Sequence, residues 1–270
     1  MSIFQAFVLG IIQGVTEYIP VSSTAHLILV PHFLGWKFSE SDALVFDILV
    51  QMGTLFGVFV YFAKDIWSIA CHTLAGLRTG KPLAHPEARL GWLIVLATIP
   101  AGAAGLLLKD YVEAYFASPK AVLYFLLLTA MLLIVAELFG KLKRHAVTTN
   151  DAIIMGVAQI IALLPGVSRS GSTISAGMLS GLSRDAAARF SFLMSIPVMV
   201  GAGLIATKDW LEQSTDPSHL ALPLLVGTVT AALSGYLVIK WFLKFLKTQS
   251  LLWFALYCAL LGGLGIIFYG

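Results

Sequence analysis

Six uninterrupted apolar runs shape the chain, roughly 44 to 63, 90 to 108, 121 to 140, 188 to 207, 220 to 239 and 251 to 269. Each is long enough to cross a hydrocarbon core of about 30 Å as a helix. None alternates apolar and polar residues at every second position, as a membrane barrel strand would. The pattern therefore predicts an all-α integral membrane protein with six transmembrane helices. Two further apolar stretches are broken. Residues 3 to 35 are cut at Pro20 and the hydroxyls of Ser22, Ser23 and Thr24, and residues 152 to 182 are cut at Pro165-Gly166 and the Ser/Gly-rich segment after it. Each broken stretch forms either one poor span or a re-entrant hairpin of two half-helices.

Charge placement favours the hairpins, because six crossings then fix which loops share a side. One side carries Lys64, Arg78, Lys81, Arg89, Lys141, Lys143, Arg144, Arg184, Arg189, Lys240, Lys244 and Lys247; the other carries only Lys37, Lys109, Lys120 and Lys208. The first side is expected to be cytoplasmic, with both termini outside and Arg169 left alone at membrane depth. Composition agrees: 59% of the residues are hydrophobic and only 11% charged, too few charges for a water-facing surface. The net charge of +3 is spread over loops rather than gathered in a stripe, which argues against a nucleic-acid partner. Cys71, expected in a connecting loop, and Cys258, inside an apolar run, cannot build a disulfide framework or a thiolate cage. The N-terminus lacks the basic region of a signal peptide.

The halves also resemble each other. Gly10, Gln13, Pro20 and Ser22 align with Gly156, Gln159, Pro165 and Ser168, and Thr98 and Gly105 with Thr228 and Gly235. With three crossings per half, residues 1–147 and 148–270 form an inverted-topology repeat, as in many transporters. The two hairpins would enter from opposite faces and meet near the midplane.

The chemistry-bearing residues lie at the two breaks. Gln13 and Glu17 share a helix face at i and i+4, and Pro20 ends or kinks that helix. Ser22, Ser23 and Thr24 are natural caps for a second half-helix reaching Phe33, whose N-terminus attracts anions. The second break, Ser168-Arg169-Ser170-Gly-Ser172-Thr173, supplies hydroxyls, backbone N–H groups and a guanidinium fork suited to phosphate oxygens. An Arg at this depth requires an anionic partner, and a structural bridge to Glu17 is the bland form of that requirement. Asp47 and Gln51 begin the first full span; for Asp47 a solvated carboxylate at a loop end is favoured over a role in the site. No Gly-Lys-Ser/Thr ending is present, so nucleotide binding is not expected.

Gln13-x-x-x-Glu17 with Pro20-Val-Ser-Ser-Thr-Ala-His26, followed by Pro165-Gly-Val-Ser-Arg-Ser-Gly-Ser-Thr173, resembles the undecaprenyl-diphosphate phosphatases, the bacitracin-resistance proteins, over the whole chain. The resemblance implies hydrolysis of undecaprenyl diphosphate to undecaprenyl phosphate and inorganic phosphate at the periplasmic face of the bacterial inner membrane. That reaction recycles the lipid carrier for peptidoglycan synthesis, and bacitracin would compete by sequestering the substrate. The family's first motif admits Glu or Gln where this chain has Gln13, so Glu17 is the one carboxylate this motif supplies. The expected roles are a clamp of Arg169, Ser168, Ser170 and Thr173, assisted by Ser22 and Thr24, and a divalent cation, Mg²⁺ or Ca²⁺, on Glu17 with Gln13. The nucleophile is Ser23 activated by His26 or Glu17, His26 itself, or metal-bound water, with Ser23 favoured. The competing reading is a transporter or flippase for a phosphorylated polyprenyl lipid or other anion, which needs Arg169 but no nucleophile. Membrane lipids surround either protein, and a homodimer stays open.

Overall fold

Ser2 starts the first helix with a capping box shared with Gln5, and this α1 (Ile3–Thr16) leads through a turn to α2 (Ser23–Phe33). The computed structural model describes residues 1–108, 118–213 and 218–269; Lys109, one of the lysines counted above, lies outside them. The remaining helices are α3 (Glu40–Tyr61), α4 (Ala63–Arg78), α5 (Pro86–Leu107), α6 (Pro119–Phe139), α7 (Thr149–Ile161), α8 (Arg169–Leu179), α9 (Arg184–Gln213), α10 (Ser218–Phe245) and α11 (Leu252–Tyr269). Eleven helices and no strand occur among the described residues. Five of them, α3, α5, α6, α9 and α10, are long and apolar enough to cross a membrane, making this a multi-pass membrane protein. The sixth expected run is α11, an apolar helix of 18 residues.

Both breaks fall where the polar residues predicted them. α1 ends at Thr16, and α2 is capped by the Ser22 hydroxyl, which accepts from the Ala25 N–H. α7 ends at Ile161, and Ser168 caps α8 by accepting from the Gly171 N–H. Small residues let these short helices press against long ones. A methyl at Gly10 or Gly14 of α1 would strike the backbone of α10 at Gly227 and Ala231, and one at Gly156 of α7 would strike that of α5 at Ala97. Close backbone approach of this kind replaces the hydrophobic driving force that lipid removes. The main core includes Tyr18, Phe62, Leu126, Phe190, Phe192 and Phe242. Tyr18 meets Phe192 edge-on at 4.8 Å and donates its hydroxyl to the Thr54 carbonyl.

Two expectations are corrected. Residues 63 to 78, read as a connecting loop, form α4, so Cys71 lies on a helix. The segment packs along α5 yet buries none of its residues fully, and Trp67, Leu74 and Leu77 stay exposed. With Lys64, Asp65 and Arg78 among its residues it is too polar to stand out as an apolar run. Asp47 is not solvated: it is buried within α3, because its helix begins seven residues earlier, at Glu40.

Ion pairs tie the helix ends on the lysine- and arginine-rich side. Glu137 pairs with Arg184 and accepts from the Leu251 N–H at 2.6 Å. Arg144 makes two bonds of 2.8 Å to Asp151 and one of 2.7 Å to the Ser180 carbonyl, fastening the loop before α7 to the end of α8. Burial alone would raise the Asp151 carboxyl, but hydrogen bonds from Arg144, Ser180 and Thr148 outweigh it and hold the group below its usual range. A carboxyl depressed in this way stabilises the fold above its unfolded pKa, and the contribution disappears as pH falls through the folded value. Asp151→Asn is therefore expected to lower the melting temperature by a few degrees at neutral pH. The gap to wild type should narrow only in strong acid, as read by thermal unfolding in detergent across pH.

Candidate active site

The turn between α1 and α2 and the loop entering α8 face each other, and their polar side chains meet. Glu17 caps the C-terminus of α1 and is buried together with its neighbours Gln13, Ser22 and Ser23. One carboxylate oxygen, Oε1, pairs with Arg169 Nη2. The other, Oε2, accepts from Gln13 Nε2 at 2.8 Å and from the Ser23 hydroxyl at 2.6 Å. A carboxylate offers about four lone-pair positions, so three donors leave room for one more partner. Two atoms beside it have no partner among the described residues, Gln13 Oε1 and Arg169 Nη1, both buried. Orphaned polar atoms at such depth are costly without a ligand or water, and here one is an acceptor and the other a cationic donor.

A cavity of about 900 Å³ opens onto this group. Glu17, Ser22, Ser23, Thr24, Ser168 and Arg169 form its polar end, and apolar residues such as Ile48, Met52, Leu106, Leu163 and Met199 line the rest. The N-termini of α2 and α8 both begin at the polar end, so two sets of free N–H groups and two positive dipole ends converge there. Ser41, Asp42, Trp210 and His219 also line it, and His219 Nε2 lies 3.0 Å from Asp42 across the starts of α10 and α3.

The remaining predicted residues stand behind this surface. Ser170 donates to the Ile19 carbonyl at 3.2 Å, bracing the first turn from the second loop. Thr173 donates to the Arg169 carbonyl and lies 2.6 Å from the Ser191 hydroxyl. His26 is buried but is absent from the cavity lining; its Nδ1 lies 2.7 Å from the Ser22 carbonyl and its Nε2 2.7 Å from the Tyr257 hydroxyl. The hydroxyl of Ser23 is thus directed at Glu17. Sequence reasoning missed Thr129 of α6, whose hydroxyl accepts from the Ser168 N–H and faces the Gly166 carbonyl. It also missed Tyr257. Each is one polar group in an apolar span, and such hydroxyls usually bond their own helix, so nothing in the pattern marked them. Gly166 takes φ +108, and a side chain there would meet Val122 of α6.

Gln13 Oε1 and the remaining lone pair of Glu17 form a hard-oxygen donor pair compatible with one divalent cation completed by phosphate oxygens. A second group of metal-ligating character lies outside the cavity. His72 of α4 and His85 and Glu87 at the start of α5 bring potential ligand atoms within 4.8 Å of one another.

A family model described as bacitracin resistance protein BacA matches residues 6–264. A curated protein of Myxococcus xanthus named undecaprenyl-diphosphatase is 40% identical, over 99% of this chain and 89% of its own length. Proteins of the same name from Geotalea daltonii and Chlorobaculum tepidum are each 41% identical, over 99% of this chain and 98% and 96% of their own lengths.

Removing one partner of a buried ion pair strands the other charge, whereas replacing both with neutral groups does not. Arg169→Ala is therefore expected to destabilise the protein by about 3 kcal/mol or more. The double variant Glu17→Gln/Arg169→Gln should melt above that single variant, a ranking that thermal unfolding in one detergent checks.

Proposed function

This chain belongs to the bacitracin resistance protein BacA family, and we propose that it works as its relatives are named: it hydrolyses undecaprenyl diphosphate to undecaprenyl phosphate and inorganic phosphate. The observation that carries the reading is the Ser23 hydroxyl, 2.6 Å from a carboxylate that is itself paired with Arg169, at the end of a cavity that is polar at its tip and apolar along its length. An anion carrier has use for Arg169 but none for a serine aimed at a base.

The chemistry follows from that geometry. The diphosphate docks against the α2 and α8 N-termini, with Arg169 Nη1 donating to the terminal phosphate. Ser23 Oγ attacks the terminal phosphorus while its proton passes to Glu17 Oε2. The bond from that phosphorus to the bridging oxygen breaks, and undecaprenyl phosphate leaves. Glu17 gives the Ser23 proton up to the departing undecaprenyl phosphate. Water then attacks the phosphoserine phosphorus; Glu17 takes one of its protons and passes it to Ser23 Oγ as the Oγ–P bond breaks, and the other stays on the inorganic phosphate. Phosphoryl transfer of this kind depends on positioning and on neutralising charge over the equatorial oxygens, which Arg169 and the two helix ends supply. Mg²⁺ or Ca²⁺ held by Gln13 Oε1 and Glu17 would add charge neutralisation on the diphosphate. The isoprenyl tail follows the apolar walls toward the bilayer.

The six-span topology with two re-entrant hairpins and the inverted repeat are supported by paired packing. α1 packs on α10 as α7 packs on α5, and α3 on α10 as α9 on α5. Ser41, Asp42, Trp210 and His219 of the cavity lining lie in segments expected on the side poor in Lys and Arg, which supports a periplasmic site in the inner membrane.

The test is phosphate release by purified protein from a long-chain isoprenyl diphosphate. Ser23→Ala should lose about 10³-fold or more in kcat, and Glu17→Gln about 10² to 10⁴-fold. EDTA should slow wild type, and Mg²⁺ or Ca²⁺ should restore it. Folded wild-type protein that releases no phosphate would return the reading to a carrier.

A further inference from the structure

Ser22, immediately before the serine aimed at Glu17, has φ +65 and ψ 99. Besides Leu142, it is the only described residue other than glycine with positive φ. A side chain resists this conformation, which persists only where surrounding contacts hold it. The carbonyls of this turn are held one after another by other parts of the protein. The Ile19 carbonyl accepts from Ser170, and the Pro20 carbonyl from Cys258 Sγ of α11 at 3.7 Å. The Ser22 carbonyl accepts from the His26 backbone N–H at 3.4 Å and faces the His26 ring at 2.7 Å.

A carbonyl oxygen only accepts, so the ring nitrogen facing it, Nδ1, carries a proton. The other nitrogen faces the Tyr257 hydroxyl at 2.7 Å, with the two ring planes within 6° of parallel. Neither nitrogen is left to take a proton from Ser23, whose hydroxyl already points to Glu17.

We infer that His26 is a positioning residue: with Tyr257 of α11 it holds the Ser22 backbone in its strained conformation, so that Ser23 enters the cavity aimed at Glu17, and it accepts no proton during the reaction. The inference rests on Ser23 being the attacking group. It also makes α11, at the far end of the chain, part of the apparatus that orients a serine near the beginning.

A double-mutant cycle between His26 and Ser22 separates clamp from base, since glycine adopts positive φ without a side-chain penalty. On the native Ser22 background, His26→Ala should lower kcat roughly 10- to 100-fold with KM nearly unchanged. On a Ser22→Gly background the same change should cost only a few-fold relative to Ser22→Gly alone. Tyr257→Phe should show a milder loss of kcat, with the shape of the pH–rate profile preserved. An equal loss on both backgrounds, or a pH limb that vanishes with His26, would overturn the clamp. A second readout does not depend on turnover. In ¹⁵N-histidine NMR of wild type, the resonance lost in His26→Asn should report a protonated Nδ1 and a bare Nε2, and the Nε2 shift should move in Tyr257→Phe. A bare Nδ1 would refute the inference even if the protein proved inactive on the diphosphate, whereas inactivity with the expected tautomer would count against the phosphatase reading alone.

Discussion

The ion pair between Glu17 and Arg169 is the constraint around which the site is arranged. The partners are 152 residues apart in sequence; Glu17 is buried, and Arg169 is mostly buried with 17% of its side chain exposed. Neither charge is tolerable alone at that depth, where desolvation outweighs anything a lone side chain can recover. Their meeting requires the turn after α1 and the loop before α8 to arrive at one place. The same carboxylate, satisfied on one side by Arg169, is left on the other to receive Ser23. Structure and chemistry use two oxygens of one group.

Bringing two interrupted helices together in the protein interior leaves backbone groups without their helical hydrogen-bond partners. The protein restores them with side chains from both breaks. Ser22 and Ser168 cap the helices that follow, Thr129 serves the loop before α8, and Ser170, Cys258 and His26 occupy the carbonyls of the first turn. Much of the hydroxyl-rich sequence therefore supports the loops, and a smaller set, Ser22, Ser23, Thr24 and Ser168, faces the cavity. Glycines on α1 and α7 allow the approach that makes this geometry reachable.

The helical class and the two breaks were legible because each follows from the apolar pattern or a local interruption of it, whereas the pairing of Glu17 with Arg169 stood only as the bland alternative to a phosphate clamp. The resemblance to the phosphatases was carried by the same two segments. What stayed hidden depends on three-dimensional proximity. Tyr257 reads as bulk in an apolar span until α11 is seen beside His26, and Thr129 reads as a hydroxyl bonded to its own helix. His26 lies three residues beyond Ser23 on the same short helix, a spacing that suggested contact over one turn; its ring instead faces the Ser22 carbonyl and Tyr257. Spacing along a helix says which residues share a face, and not which way a ring is drawn by a strained carbonyl. The helix α4 was passed over because it is amphipathic and too polar to register as an apolar run.

The sequence separation of the ion pair also governs how the molecule can be made. When the first hairpin leaves the ribosome, Arg169 does not yet exist, and 152 more residues take on the order of ten seconds or more at about 5 to 20 residues per second. Throughout that interval a buried Glu17 would carry a carboxylate with no counter-ion. The cheaper arrangement is for the turn after α1 to stay in water until the loop before α8 has been made. The two can then close on each other, so that both charges leave water in the same event.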